Sequence, residues 1–105
     1  MSPGKCASQA GHAYLGAFLT AQQSHPKLAE IYASASPGTK ICLQATGPEL
    51  FQAKLRAEAE GLPVYLTIDS GCPNFFNGEP TPTALGIGPV DGSKLPKLLR
   101  RLKLL

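Results

Sequence analysis

The chain has 105 residues, a net charge of +3, 43% hydrophobic residues and 16% charged residues, which excludes intrinsic disorder and a multidomain architecture. No apolar run approaches the ~20 residues that span a bilayer, and no signal-peptide pattern opens the chain, so we expect a cytoplasmic protein without membrane association. Cys6, Cys42 and Cys72 lack zinc-like spacing and are interpreted as reduced thiols. A single domain over residues 1–105 is expected.

Residues 4–23 are predicted to form the first helix. At about 100° of rotation per residue, one side of this helix is rich in alanine, which allows another element to pack closely against it. The opposite side carries a line of other residues, namely Lys5, Gln9, His12 and Gly16. The helix is expected to end at Ser24-His25-Pro26, because the residue before a proline resists the α conformation.

The remaining elements alternate between helices and strands. We predict helices over 26–33, 47–60 and 91–101, strands over 40–45, 63–68 and 83–88, and an extended end over 102–105. Thr46 and Glu49 form a capping box at the start of the second of these helices, and we assign them no other role. The alternation predicts an α/β protein, a three-layer α/β/α sandwich with a small mixed β-sheet.

A loop rich in glycine, proline and asparagine is predicted over residues 70–82, directly after Asp69. Asp69 at the end of a strand suits a site residue, although an aspartate before Ser70-Gly71 is also a common turn former. Phe75 and Phe76 either stack on a base or anchor the loop inward. A thiol-nucleophile role for Cys72 has no surrounding sequence pattern to support it.

Five of the ten cationic residues lie in the last twelve positions: Lys94, Lys97, Arg100, Arg101 and Lys103. Such a cluster attracts phosphates and is a candidate RNA-binding surface. A solvated face that carries charge for solubility has the same pattern, so both interpretations stay open.

Four segments resemble the type 2 peptidyl-tRNA hydrolase family over nearly the whole chain. Gly4–Ala13 is similar to the family's Gly-Lys-x-Ala-x-Gln-x-x-His-Ala signature, and Lys40–Leu43 to its Lys-Ile-Val-Leu strand. Ile68–Gly71 resembles its Asp-Ala-Gly. Thr83–Pro89 resembles Thr-Val-Leu-Gly-Ile-Gly-Pro, and Leu102–Leu105 its Leu-Lys-Leu ending.

The resemblance implies a hydrolase that cleaves the ester between peptide and tRNA, without a metal or organic cofactor and with peptidyl-tRNA as its partner. The implied catalytic residues are Lys5, Gln9, His12, Asp69 and Thr83. Lysine can neutralise developing negative charge, histidine can exchange a proton, and glutamine and threonine can orient water or a carbonyl by hydrogen bonding.

Two departures from the family pattern carry further expectations. The family's first strand, which ends in Arg-x-Asp-Leu, has no counterpart before Met1, so we expect an unstable monomer or completion of the sheet by association, as in a homodimer. Cys72-Pro73-Asn74 replaces the family's Arg-Thr-Gln, and the loop is longer. A relative that binds RNA or protein without cleaving it is therefore an alternative, as is an enzyme for another ester or amide.

Overall fold

The computed structural model describes residues 1–35, 38–69 and 79–105. Three helices come first along the chain: α1 (Pro3–Ser24), α2 (Pro26–Ser34) and α3 (Gly47–Ala59). Two strands follow, β1 (Val64–Asp69) and β2 (Thr81–Ile87). The α/β class is confirmed, and the predicted bounds of these five elements agree with the observed ones to within two residues.

Local signals explain where the helices begin and end. The Ser2 hydroxyl accepts a hydrogen bond from the Lys5 backbone N–H at 3.2 Å, and Pro3 occupies the first turn of α1. The capping box of α3 is confirmed. The Thr46 N–H donates to Glu49 Oε1 at 2.8 Å, and the Glu49 N–H donates to Thr46 Oγ1 at 3.3 Å.

The two strands pair in an antiparallel manner, so the sheet in the described ranges is not the mixed sheet that was predicted. The register places Thr67 opposite Ala84 and Ile68 opposite Pro82. Thr83 is therefore an extra residue on β2, and the strand carries a bulge at this position. A bulge changes the direction in which nearby side chains point, which matters for the site below.

Two of the predicted elements are wrong. The predicted strand over 40–45 is reduced to an isolated bridge between Leu43 and Leu104, because its pairing with the extended end covers only a few residues. The predicted helix over 91–101 consists of two short 3₁₀ helices, Gly92–Lys94 and Lys97–Arg101. Pro96 interrupts them, since it has no N–H to donate and holds the preceding Leu95 in an extended conformation.

The helices lie around the sheet as layers. Both α1 and α3 contact both strands, but they make little contact with each other, and α2 packs against α1. None of the helices in the described ranges is long and apolar enough to cross a membrane.

The buried hydrophobic residues within 1–35, 38–69 and 79–105 are all alanines. They are Ala13, Ala17, Ala21, Ala29, Ala53 and Ala57. Small side chains let backbones approach closely, and two glycines extend this contact: a Cβ on Gly16 would overlap the Tyr65 ring, and a Cβ on Gly86 would overlap the backbone of Ala13. The seam between α1 and the sheet is therefore held by close backbone approach.

Candidate active site

The direction of the polar line on α1 differs from the prediction. Gln9 and Gly16 are buried together with Ala13 and Ala17, so this part of the line belongs to the packing side instead of lying opposite it. The alanine-rich side extends beyond this contact and leaves Ala7 exposed. Angular spacing shows which residues share a side of a helix, but the packing partner decides which side is buried.

Lys5 and Asp69 form an ion pair between the first turns of α1 and the end of β1. The side chain of Lys5 is 19% exposed and that of Asp69 only 4%, so the carboxylate lies inside and the ammonium group reaches the surface. A buried carboxylate needs such a partner, because an unpaired charge is costly to bury. The pair therefore holds the lysine ammonium group at one position at the edge of the structure.

Gln9 and Thr83 form the second contact of the site. The Thr83 hydroxyl donates to Gln9 Oε1 at 2.5 Å and lies 3.5 Å from the Thr67 carbonyl oxygen. Gln9 is 5% exposed, whereas Thr83 keeps partial access to solvent. Thr83 is the extra residue of the β2 bulge, so the bulge lies at the site itself.

Lys5, Gln9, Asp69 and Thr83 are thus joined in two pairs across one seam between α1 and the sheet. His12 is exposed and makes no hydrogen bond or ion pair with the described part of the chain, so the structure does not join it to the other four. Its place one turn beyond Gln9 on α1 puts it at the rim of the seam. Cys72, Phe75 and Phe76 lie outside the described residues.

One polar residue in the seam was missed by the sequence analysis. Thr67 is 5% exposed, and its hydroxyl is buried without a hydrogen-bond partner in the parts of the chain that the structure describes. It lies two residues before Asp69 on β1, so both side chains point to the same face of the sheet. The alternation of β1 was the signal that would have found it.

The arrangement provides a cation, hydrogen-bonding groups and a wall of closely packed backbone. An ammonium group held beside hydrogen-bonding side chains can stabilise negative charge that develops on a carbonyl oxygen. Residues 1–35, 38–69 and 79–105 contain no group of three or more histidine, cysteine, aspartate or glutamate side chains that could hold a metal ion. A cation and hydrogen-bonding groups in this arrangement can assist the attack of water on a carbonyl carbon.

An apolar groove of about 590 Å³ runs beside the first half of α1. The residues that line this groove include Cys6, Ala7, Ala10, Tyr14, Cys42 and Leu105. Burial, together with the neighbouring Cys42 thiol, raises the pKa of the Tyr14 hydroxyl. Leu105 lines the groove together with Met1 and Pro3, so the C-terminal end of the chain lies beside the beginning of α1.

The five predicted RNA-binding residues, Lys94, Lys97, Arg100, Arg101 and Lys103, are all exposed. Four of them lie in the two 3₁₀ helices and Lys103 follows the second helix, so their positive charges add to one local field.

Comparison with known proteins identifies the family of this chain. The model of the family described as peptidyl-tRNA hydrolase PTH2 matches residues 1–105. A protein named peptidyl-tRNA hydrolase from Methanocaldococcus jannaschii is 32% identical over 105 residues, which cover all of this chain and 90% of the relative. Proteins of the same name from Methanococcus vannielii and Methanopyrus kandleri are 36% and 35% identical over 106 residues, covering 89% and 88% of their lengths. The chain therefore belongs to the peptidyl-tRNA hydrolase PTH2 family.

Proposed function

We propose that this protein hydrolyses the ester bond between the peptide and the tRNA of peptidyl-tRNA and so recycles tRNA for translation. The observation that carries the proposal is the seam in which the Lys5–Asp69 ion pair lies beside the Gln9–Thr83 hydrogen bond. Membership of the family, and the names of relatives that share the full length of this chain, support the same reaction.

Each residue of the seam has a distinct proposed role. Asp69 fixes the Lys5 ammonium group, which stabilises the negative charge on the ester carbonyl oxygen as water attacks the carbonyl carbon. Thr83 donates a hydrogen bond to the substrate, and Gln9 orients water or the carbonyl. His12 at the rim accepts the proton of the attacking water and returns it to the ribose oxygen as the ester C–O bond breaks.

The direct experiment is release of peptide from an N-acetylated aminoacyl-tRNA. We expect turnover by the wild type and a loss of at least about 100-fold in kcat for Lys5→Ala, the effect typical of removing one group that stabilises an oxyanion. Lys54→Ala is the matched control, because Lys54 also pairs with a carboxylate, that of Glu58, but on the surface of α3. Absence of turnover by the wild type, or full turnover by Lys5→Ala, would contradict the proposal.

We further propose that the C-terminal cations Lys94, Lys97, Arg100, Arg101 and Lys103 bind tRNA phosphates. Their exposure supports this, as does the approach of the chain end to the Lys5 end of α1. Neutralising Lys97, Arg100 and Arg101 with glutamine should weaken binding to any tRNA and flatten its salt dependence, because each lost phosphate contact removes about 0.7–0.9 from the slope of log K against log salt. Lys27→Gln on α2 is the control, and an unchanged slope in the triple variant would remove these residues from the RNA surface.

Association into a homodimer is proposed on the surface that the fold leaves uncovered. Large apolar side chains on the described surface are more than half exposed, among them Leu15, Ile31 and Leu55. Exposed apolar surface of this kind is typical of proteins that associate, and a standard interface covers about 800 Å² on each partner. Analytical ultracentrifugation that finds a monomer at micromolar concentration would exclude the dimer.

The proposed substrate and role in translation also support a cytoplasmic location, which fractionation of cells would test.

A protein that retains RNA binding but has lost cleavage is the alternative outcome of the same assay. It would bind N-acetylated aminoacyl-tRNA with the salt dependence described above and release no peptide.

A further inference from the structure

The hydroxyl of Thr67 is the one buried side-chain polar atom without a hydrogen-bond partner among the described residues that are not exposed. Such a group costs free energy, and its presence in a folded protein calls for an explanation. Valine has nearly the same shape and would remove the cost, so the hydroxyl is not needed for packing.

Two flanking contacts imply that Thr67 faces the Gln9 turn of α1. Along β1 it stands midway between Tyr65, which packs on Gly16, and Asp69, which pairs with Lys5. The stretch of α1 from Lys5 to Gly16 is about 16 Å long and that of β1 from Tyr65 to Asp69 about 13 Å, so the two run side by side. The midpoint of the helical stretch is the turn that begins at Gln9.

Thr83 connects the two residues. Its hydroxyl lies 2.5 Å from Gln9 Oε1 and 3.5 Å from the Thr67 carbonyl oxygen. A threonine hydroxyl has one proton to donate, and in this structure it goes to Gln9. Thr83 therefore cannot donate to a substrate while it holds Gln9, and when it turns to the substrate the buried Gln9 oxygen loses its donor.

We propose that Thr67 is a positioning residue whose hydroxyl takes over as donor to Gln9 Oε1 when Thr83 turns to the substrate. The exchange keeps the Gln9 carbonyl satisfied in both states, so releasing Thr83 costs little. Thr67 does not touch the substrate and acts through Gln9 and Thr83. The structure, in which the Thr67 hydroxyl has no partner among the described residues, represents the state before the exchange.

The kinetic experiment rests on the proposed hydrolysis of peptidyl-tRNA. Thr67→Val should lower kcat about tenfold and leave KM unchanged, because the buried acceptor then opposes the turn of Thr83. Thr67→Ser, which restores the hydroxyl, should recover activity to within about threefold of wild type. Thr39→Val, at an exposed position, is the control for loss of a threonine hydroxyl. Activity of Thr67→Val within twofold of wild type, or a serine variant as impaired as the valine variant, would overturn the proposal.

A second measurement needs no substrate and separates this proposal from the hydrolase activity. If Thr67 is an alternative donor, Thr83→Val alone should lower the melting temperature little, because the Thr67 hydroxyl then donates to Gln9. Thr67→Val alone should leave the melting temperature equal to or higher than that of the wild type. The double variant should lose at least about 4 °C more than the two single changes together. Additive changes would refute the exchange. If the wild type cleaves no peptidyl-tRNA, the proposed function fails and this cycle alone decides the role of Thr67.

Discussion

Gly86 of β2 supports the close approach of α1 to the sheet, so replacing it with alanine should disturb the site without touching any of its polar groups. Gly86 is buried and pairs with Tyr65 across the sheet. An added Cβ would overlap the carbonyl group of Ala13 and crowd the Ala17 side chain. Backbone atoms inside a helix cannot rotate out of the way, so α1 as a whole must move outward.

The size of the effect follows from two opposing terms. Forcing a methyl group into a packed seam costs about 1–3 kcal/mol. Alanine in place of glycine recovers about 0.5–1 kcal/mol, since it restricts the unfolded chain. The expected net loss of stability therefore lies between roughly 0 and 2.5 kcal/mol, with its middle at about 1 kcal/mol. Each kcal/mol lowers the melting temperature of a domain of this size by about 4–8 °C. A shift of α1 by about 1 Å also misplaces Lys5 and Gln9, which can cost about 100-fold in activity.

Thermal unfolding and peptidyl-tRNA cleavage should be measured on Gly86→Ala and on a matched glycine of α1. Gly11 is that control, because it is exposed and no atom lies within 4 Å of the position that its Cβ would occupy. Gly11→Ala should gain up to about 1 kcal/mol from helix propensity and keep its activity. If Gly86→Ala unfolds at the wild-type temperature and cleaves at the wild-type rate, the seam does not depend on close backbone approach.

Two other features give independent predictions. Thr46→Ala removes the capping box of α3 and should lower the free energy of unfolding in urea by about 1 kcal/mol. The kcat should stay unchanged, because α3 carries none of the proposed site residues. A loss of activity would connect α3 to the site. Burial and the neighbouring Cys42 raise the pKa of Tyr14, so its phenolate should appear at a higher pH than an ordinary tyrosine in an ultraviolet titration compared with Tyr14→Phe. The associated stability is present below the ordinary pKa of about 10 and is lost as the pH rises through the folded-state pKa, and an ordinary titration would contradict this.

The sequence was most informative where structure depends on neighbouring residues in the chain. The ends of α1 and α3 follow from Ser2, Pro3 and the Thr46 capping box, all of which act within one helical turn. The signal at Pro96 was also local, but the helix predicted over 91–101 ran across this proline. The two 3₁₀ helices show that the proline was the stronger constraint.

What the sequence could not show depends on residues that are distant in the chain. A strand forms only where a partner runs beside it, and residues 40–45 find one over the Leu43–Leu104 bridge alone. The bulge at Thr83 is a property of the register between β1 and β2, and neither strand reveals it separately. For the same reason, the sequence indicated Gln9 and Thr83 as site residues but not the hydrogen bond between them.

A core made of alanines also has a consequence for how stability changes with temperature. The heat capacity of unfolding comes mainly from apolar surface that becomes hydrated, and this fold keeps Leu15, Leu55, Ile31 and other large apolar side chains hydrated already. The heat-capacity change should therefore fall below the ~12–15 cal/mol/K per residue of ordinary domains. A small value flattens the stability curve, so the free energy of unfolding should vary little across the range in which the protein stays folded.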